Sequence, residues 1–221
     1  MSQKENSSKP LPDPTLARRA RQQRRRDQSR EDILAAARVV MLRDGIGAVT
    51  LDAVSREAGM SKTGLYYYFA SKEALVFELV FAVWQSHGER VSCAVDAVET
   101  GQEALSAVIR NTVERFAPQM DDFRLAFLVS QISGPSGLQV SQEQFERIRP
   151  LNNLILSEAT AKLSESDRPG VVEPRLLGFL AFVSALGVLT MKGLVESLGD
   201  PLLYSDEQLI DGLSKVFATA S

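Results

Sequence analysis

The sequence predicts an all-α protein in which a three-helix unit is followed by six further helices that form a second domain. Three observations lead to this prediction. Apolar residues recur at helical spacing along most of the chain, capping-box sequences precede several of the apolar runs, and no strand-like alternation stands out. The 221 residues, 44% of them apolar, can bury a sizeable core without disulfides or metals.

The first residues favour an extended chain rather than a helix. Pro10, Pro12 and Pro14 stand among polar residues, and six arginines follow them before residue 27. We therefore expect residues 1–27 to form a disordered basic arm. An apolar pattern then predicts a first helix from about Ser29 to Asp44, with one face made of Ile33, Ala37, Val40 and Met41.

Two short helices are predicted next, joined by a turn that contains a glycine. Thr50 stands where an N-cap is expected, and the helix that it opens ends at Gly59. Ser61 then caps a second short helix, so the whole motif covers about residues 51–70. The apolar sides of these two helices comprise Leu51, Val54, Ala58, Leu65, Tyr68 and Phe69.

Six helices account for the rest of the chain. Thr100, Ser141 and Ser205 are each followed three residues later by Glu or Gln, the spacing of a capping box. Pro150 lies inside one predicted helix, where a kink or break is expected. The predicted helices are roughly 72–98, 102–118, 121–133, 141–166, 174–198 and 205–219.

The cysteine and histidine counts limit the available chemistry. Cys93 is the only cysteine and His87 the only histidine, so the usual zinc ligand sets are excluded and any Ser-His-Asp or Cys-His mechanism would depend on one imidazole. We therefore predict that the protein is not an enzyme and holds neither metal nor cofactor. The location is expected to be cytoplasmic, because a lone cysteine fits a reducing cytosol and the N-terminal residues contain no apolar run of signal-peptide length.

The longest uncharged stretch runs from Leu176 to Met191 and ends at Lys192. It is shorter than the roughly 20 residues of a bilayer span, so a buried helix and no membrane contact are predicted.

Charge is distributed unevenly along the chain. Through Lys72 there are 14 Lys and Arg against 8 Asp and Glu, whereas the remainder has 11 against 20. The basic N-terminal part of the chain and the acidic remainder suggest that only the N-terminal part binds a polyanion. Two short helices joined by a glycine-containing turn, preceded by a third helix and a basic arm, are typical of a helix-turn-helix DNA reader.

A helical wheel divides the three consecutive tyrosines. Tyr68 falls with Leu65 and Phe69 and is expected in the core, whereas Tyr66 and Tyr67 fall on the opposite arc. DNA would cover these two rings, since a phenol hydroxyl bonds to phosphate or a base edge. Lys62 would add a phosphate contact.

The same residues resemble the TetR family of bacterial transcriptional regulators. Its signature is matched by Thr50, by Ala58-Gly59-Met60-Ser61, by Leu65-Tyr66-Tyr67-Tyr68-Phe69 and by Ser71-Lys72-Glu73-Ala74-Leu75. The resemblance implies a homodimer whose three-helix DNA-binding domain, residues 28–88, is followed by an effector-binding and dimerisation domain, residues 89–221.

The resemblance also implies roles for individual residues. Phosphate contacts fall to Thr50, Tyr67 and Lys72, and major-groove contacts to Lys62, Thr63, Gly64 and Tyr66. Two alternatives stay open for the arginine arm, which either tracks the DNA or remains a solvated tail. The full predicted DNA-binding set is Thr50, Ser61, Lys62, Thr63, Gly64, Tyr66, Tyr67, Lys72, Arg24, Arg25 and Arg26.

An effector pocket is expected where such regulators enclose a small molecule, although the same side chains would equally serve as core. A mostly apolar pocket is predicted, since few polar residues interrupt these helices. The candidates are Trp84, His87, Phe116, Met120, Phe123, Phe127 and Gln131.

The last two predicted helices carry small and apolar residues at intervals of three to four, which would suit a four-helix dimer interface. The alternative is that these faces pack within one subunit. The predicted interface comprises Gly178, Ala181, Ala185, Val188, Leu209, Leu213 and Val216.

The predicted function is a ligand-responsive, sequence-specific DNA-binding repressor, released from a palindromic operator by a small apolar effector. Its partners would be double-stranded operator DNA, a second copy of the chain and an unidentified effector. An activator or an effector-independent DNA-binding protein of the same fold stays an alternative, as does a peripheral membrane protein that uses the arginine arm.

Overall fold

The computed structural model describes residues 14–128, 140–164, 172–199 and 204–220. Within these residues there are nine α-helices and no strand, which confirms the all-α class. The chain divides into two compact units, Met1–Leu75 and Val76–Ser221. The division falls inside the fourth helix, and the expected domain boundary at residue 88 lies farther along that helix.

The first unit contains α1, α2, α3 and the start of α4, and the second contains the rest. A 3-10 turn, Ile46–Ala48, separates α1 from α2. The helices are α1 Pro14–Asp44, α2 Leu51–Glu57, α3 Lys62–Tyr68, α4 Lys72–Asp96, α5 Gly101–Phe116, α6 Met120–Phe123, α7 Gln142–Ser164, α8 Pro174–Leu198 and α9 Asp206–Ala220.

The first helix begins about fifteen residues earlier than predicted. Residues 14–27, expected to be part of a disordered arm, are helical, and this expectation was wrong. Arginine, alanine and glutamine all favour helix, and proline suits the first helical position. Gln23 donates to Asp27 and Gln28 donates to Asp32, each one turn along. Residues 1–13 lie outside the described part of the chain.

The core of the first unit comes from the apolar faces that the sequence predicted. Ile33 and Val40 of α1, Val54 of α2 and Leu65 of α3 are all fully buried. Tyr68 was expected beside them but is only half-buried, because it lies on the last turn of α3 with its ring edge-on to that of Tyr67, 5.2 Å between centroids.

The second unit is built around α5, which is buried along most of its length. Thr100 and Glu103 form the predicted capping box, in which Thr100 Oγ1 accepts from the Glu103 amide and Glu103 accepts from the Thr100 amide. Helices α7, α8 and α9 surround the other faces of α5. The resulting cluster comprises Leu105, Ile109, Val113, Leu163, Leu177, Ala181, Ala185, Ile210 and Phe217.

Two helices differ from the prediction. The helix expected over 121–133 begins as α6 and continues as a π-helical turn, Arg124–Leu128, and residues 129–139 lie outside the described part of the chain. Pro150 does not interrupt α7, which is helical throughout Gln142–Ser164.

Helix α8 presents its small residues to the core rather than to a partner. Ala181 and Ala185 are fully buried against α5 and α9, Gly178 is buried beside Leu156, and Val188 packs on the same cluster. The burial of Gly178, Ala181 and Ala185 contradicts their assignment to the dimer interface, whereas for half-buried Val188 the assignment stays a prediction. Residues without bulky side chains let α8 approach α5 closely within one subunit.

The opposite face of α8 is exposed and apolar. It comprises Leu176, Phe179, Leu180, Val183, Met191, Leu194 and Leu198, and we call these residues the α8 outer face. On α9, Val216 is exposed, whereas Leu209 and Leu213 are half-buried. By length and composition alone, residues 174–195 are apolar enough to cross a membrane, with a mean hydropathy of 1.8.

The inward position of Ala185 can be tested by enlarging it. Ala185→Leu should lower the free energy of unfolding by about 1–3 kcal/mol, because three extra carbons have no space beside α5. Chemical denaturation monitored by circular dichroism would measure this change. The matched control is Ala82→Leu, the same substitution at an exposed alanine of α4, which should leave stability nearly unchanged. Equal effects of the two substitutions would contradict the assignment.

Candidate nucleic-acid interface and buried aromatic site

The turn between α2 and α3 is set by hydrogen bonds at both helix ends. Gly59 has a φ of 63°, a conformation that favours glycine, and the Met60 amide donates to the Ser55 carbonyl at 3.0 Å. Ser61 Oγ accepts from the Gly64 amide at 3.0 Å. Thr50 Oγ1 likewise accepts from the Ala53 amide at 3.1 Å. Both predicted N-caps are present, so α2 and α3 begin where the sequence indicated.

Helix α3 exposes two of its three tyrosines. Tyr66 is 48% exposed and Tyr67 is 65% exposed, whereas Leu65 on the other side is fully buried. Thr63 is exposed beside them, and Gly64 is half-buried, with its Cα facing the Ser61 hydroxyl. Two large rings on a helix of seven residues form an apolar surface that a binding partner would cover.

The two lysines predicted to contact DNA each have a hydrogen-bond partner within the first unit. Lys62 Nζ lies 2.8 Å from Asp52 Oδ1, and this carboxylate raises the pKa of Lys62. Lys72 Nζ donates to the Gly47 carbonyl at 3.5 Å, a long hydrogen bond that leaves its other two protons for a further acceptor. Sequence reasoning missed Asp52, although an aspartate in the first turn of α2 was visible.

The N-terminal part of α1 is joined to α3 by arginines. The Arg26 guanidinium lies 5.0 Å from the centre of the Tyr67 ring, and the Arg30 guanidinium lies 5.0 Å from that of Phe69. Arg24 and Arg25 are exposed on the same stretch. The structure thus brings Arg26, but neither Arg24 nor Arg25, against the tyrosine pair.

Several predicted effector residues come together in the second unit as a cluster of rings that meet mostly at tilted or edge-on angles. The Phe116 ring lies 4.9 Å from His87, 6.1 Å from Phe123 and 5.5 Å from Phe127. Phe182 of α8 completes the cluster, 6.1 Å from both His87 and Phe127. Phe182 shares the inward face of α8 with Ala185, a face that sequence reasoning had assigned to the dimer. We call His87, Phe116, Phe123, Phe127 and Phe182 the aromatic cluster.

His87 is almost fully buried, at 1% exposure, and one of its nitrogens is held by α5. Its Nε2 lies 3.4 Å from Thr112 Oγ1, and that hydroxyl donates its own proton to the Val108 carbonyl at 2.7 Å. Burial, with the charges of Arg115 and Arg90, lowers the pKa of His87 to about 4, so the imidazole is neutral at pH 7.

The remaining predicted pocket residues lie at the edge of this cluster or outside the described chain. Trp84 is half-buried and donates from Nε1 to the Ala126 carbonyl at 3.1 Å, inside the π-helical turn. Met120 is buried near Gly193 of α8. Gln131 lies outside the described residues. A separate open cleft of about 690 Å³, lined by residues of α4, α5 and α9, includes none of the predicted pocket residues.

Comparison with known proteins links the first unit to a family. Residues 33–79 match the model for bacterial regulatory proteins of the tetR family. Over 100 residues the chain is 32% identical to the HTH-type transcriptional regulator BetI of Rhizobium meliloti (strain 1021), a match covering 44% of this chain and 49% of that regulator. The match therefore spans about half the length of the curated relative.

Solved structures resemble nearly the whole chain in fold. A transcriptional regulator FadR from Bacillus subtilis, crystallised in complex with stearoyl-CoA, has a TM-score of 0.65 at 18% identity and covers 86% of this chain and 98% of its own. A regulator of the TetR/AcrR family from Thermobifida fusca has a TM-score of 0.64 at 18% identity, covering 85% and 95%. At these identities the likeness shows a common fold. Residues 33–79 thus match a tetR-type domain of bacterial regulatory proteins, and the described residues share an all-α fold with these solved regulators.

Proposed function

We propose that the chain is a dimeric DNA-binding transcriptional repressor, released from a palindromic operator when a small apolar molecule binds its second unit. The observation that carries this proposal is the exposed pair Tyr66 and Tyr67 on a capped helix of a tetR-type domain. Activation instead of repression, and DNA binding without an effector, stay open as alternatives.

The first unit supplies the groups that a duplex requires. Tyr66, Thr63 and Lys62 lie on the exposed side of α3, the helix that would enter the major groove. Thr50 is the N-cap of α2, and Lys72 is the first residue of α4. The threonine hydroxyl, the lysine ammonium group and the free amide groups at these helix starts can each bind a phosphate. Lys62 would exchange Asp52 for a DNA acceptor, and because their ion pair is exposed, the exchange costs little.

A dimer would cover the α8 outer face. Seven large apolar side chains stand on this one face, more than a monomeric soluble protein usually exposes in one patch. Exposed Val216 and half-buried Leu213 of α9 would extend the interface, in keeping with part of the predicted set. Two-fold symmetry would then place two copies of α3 on half-sites about 34 Å apart or a multiple of it.

The aromatic cluster is the proposed effector site. A solved relative of the same fold, the Bacillus subtilis FadR, was crystallised with stearoyl-CoA, which supports a ligand-binding second unit here. Helix α4 contributes His87 to the cluster and begins at Lys72, fifteen residues and about 22 Å away along the same helix. A ligand that displaces His87 would therefore act on the helix that carries a proposed phosphate contact.

Binding to DNA is tested by mobility shift or fluorescence anisotropy with fragments upstream of the chain's own gene and its neighbours. A specific site should bind with an affinity that falls steeply with salt, as expected where phosphates displace counterions. The membrane alternative predicts equal binding to anionic vesicles. Absence of any preferred fragment would overturn the proposal.

Tyr67→Phe should weaken binding to all DNA sequences to a similar extent. The loss of one hydroxyl contact to a phosphate costs about 1 kcal/mol, or about fivefold in Kd. Anisotropy titrations with operator and with unrelated DNA would measure the change. The matched control is Tyr204→Phe, since Tyr204 is 60% exposed but lies between α8 and α9, outside the proposed interface. Unchanged affinity for Tyr67→Phe would remove the phosphate role of Tyr67.

Phe179→Asp should dissociate the dimer. Phe179 loses about 2 kcal/mol of apolar burial in each copy, about 4 kcal/mol for a two-fold dimer, or about a thousandfold in Kd. Sedimentation velocity over a concentration series would measure the change. Phe145→Asp is a close control, because Phe145 is 47% exposed and Phe179 is 48% exposed, but Phe145 lies on α7. A dimer that survives Phe179→Asp and not Phe145→Asp would place the interface elsewhere.

A further inference from the structure

One nitrogen of His87 is buried without a hydrogen-bond partner among the described residues. Nδ1 has no solvent contact and accepts nothing from the surrounding side chains of the second unit. A buried polar atom left unpaired costs a folded protein free energy, so such an atom calls for a partner or a function. The aromatic side chains around it leave the protein with little to offer as a donor.

The hydrogen bonds on the other side of the ring fix which nitrogen carries the proton. The hydroxyl proton of Thr112 is committed to the Val108 carbonyl at 2.7 Å, so Oγ1 has only lone pairs to present to His87. Nε2, at 3.4 Å, must therefore be the donor of that contact. In a neutral imidazole the second nitrogen is then an acceptor, and here that nitrogen is Nδ1.

The backbone that carries one side chain of the aromatic cluster is irregular. Phe127, which contacts both Phe116 and Phe182, projects from the π-helical turn Arg124–Leu128. One carbonyl of this turn, that of Ala126, accepts from Trp84. Single π-helical turns inside helices recur at functional sites.

We propose that Nδ1 of His87 is the acceptor for the effector, and that the effector is an apolar molecule carrying one uncharged hydrogen-bond donor, such as a hydroxyl or an amide N–H. The proposal rests on the effector site proposed above and specifies its chemistry. A donor completes the hydrogen bonding of the imidazole, while the rings of Phe116, Phe123, Phe127 and Phe182 contact the apolar body. A carboxylate would bring its own lone pairs against Nδ1 and is disfavoured.

The proposal separates two classes of small molecule that an apolar site would otherwise bind alike. Phenol and toluene have nearly the same size and shape, but only phenol has a donor. Phenol should bind about tenfold more tightly than toluene, the equivalent of about 1.4 kcal/mol. Benzoate, which at pH 7 has acceptors only, should bind more weakly than phenol.

The full-length protein labelled with ¹⁵N-histidine provides the measurement, since His87 is its only histidine and gives one pair of ring signals. At pH 7 the free protein should show the neutral tautomer protonated at Nε2. Phenol should shift the Nδ1 signal in the direction of an accepted hydrogen bond, and toluene should not. His87→Phe keeps the ring and removes the acceptor, so it should abolish the preference for phenol.

Several results would overturn the proposal. They are a proton on Nδ1 in the free protein, equal binding of phenol and toluene, no binding of either at millimolar concentration, tighter binding of benzoate, or a preference for phenol that persists in His87→Phe. If that variant does not fold, the Nδ1 signal of the unsubstituted protein decides alone. All of these titrations are done without DNA, so a failure here leaves operator binding and dimerisation to their own tests.

Discussion

The burial of α5 constrains the rest of the second unit. Seven of its sixteen residues are buried, and the only polar one among them is Thr112. Its hydroxyl meets the rule that buried polar groups are hydrogen-bonded by donating one turn back along its own helix and accepting from His87. Satisfying Thr112 in this way fixes the tautomer of His87 and leaves Nδ1 as a buried acceptor. The chemistry of the proposed effector site is therefore a consequence of packing α5.

The same burial explains why α8 has two unlike faces. Ala181 and Ala185 let α8 lie close against α5, so its large side chains on the opposite face point outward. An apolar stripe of this length is stable in water only when something covers it. In the proposed dimer a second copy would cover it with matching shape, because both copies would present the same face about a two-fold axis. This requirement favours a dimer over a membrane span for residues 174–195, since the small inner residues already pack within the subunit.

Local signals predicted most of the helices, and non-local packing accounts for the errors. Capping at Thr50, Ser61 and Thr100 depends on residues three apart, so the sequence alone located those helix starts. The spacing of Gly178, Ala181 and Ala185 correctly defined one face of α8, but spacing does not say what that face contacts. The outward tyrosines were predictable from a wheel, whereas Phe182 joins His87 only because α8 packs beside α4 and α5. The start of α1 was not predicted, because the prediction gave more weight to the three prolines than to the helix propensity of the arginines that follow them.

How the two proposed sites communicate depends on how α4 is held in the second unit. Arg147 of α7 donates two hydrogen bonds to the Glu78 carboxylate, one of them 3.0 Å long. Its guanidinium also lies 4.2 Å from the centre of the Phe81 ring. These contacts are six to nine residues from His87 on α4, so α7 and the aromatic cluster hold the same helix at two levels. A ligand that inserts at His87, as proposed, would act on a helix that Arg147 also holds nine residues away. It would shift α4 only if it bound the shifted state more tightly than the unshifted one, by a few kcal/mol.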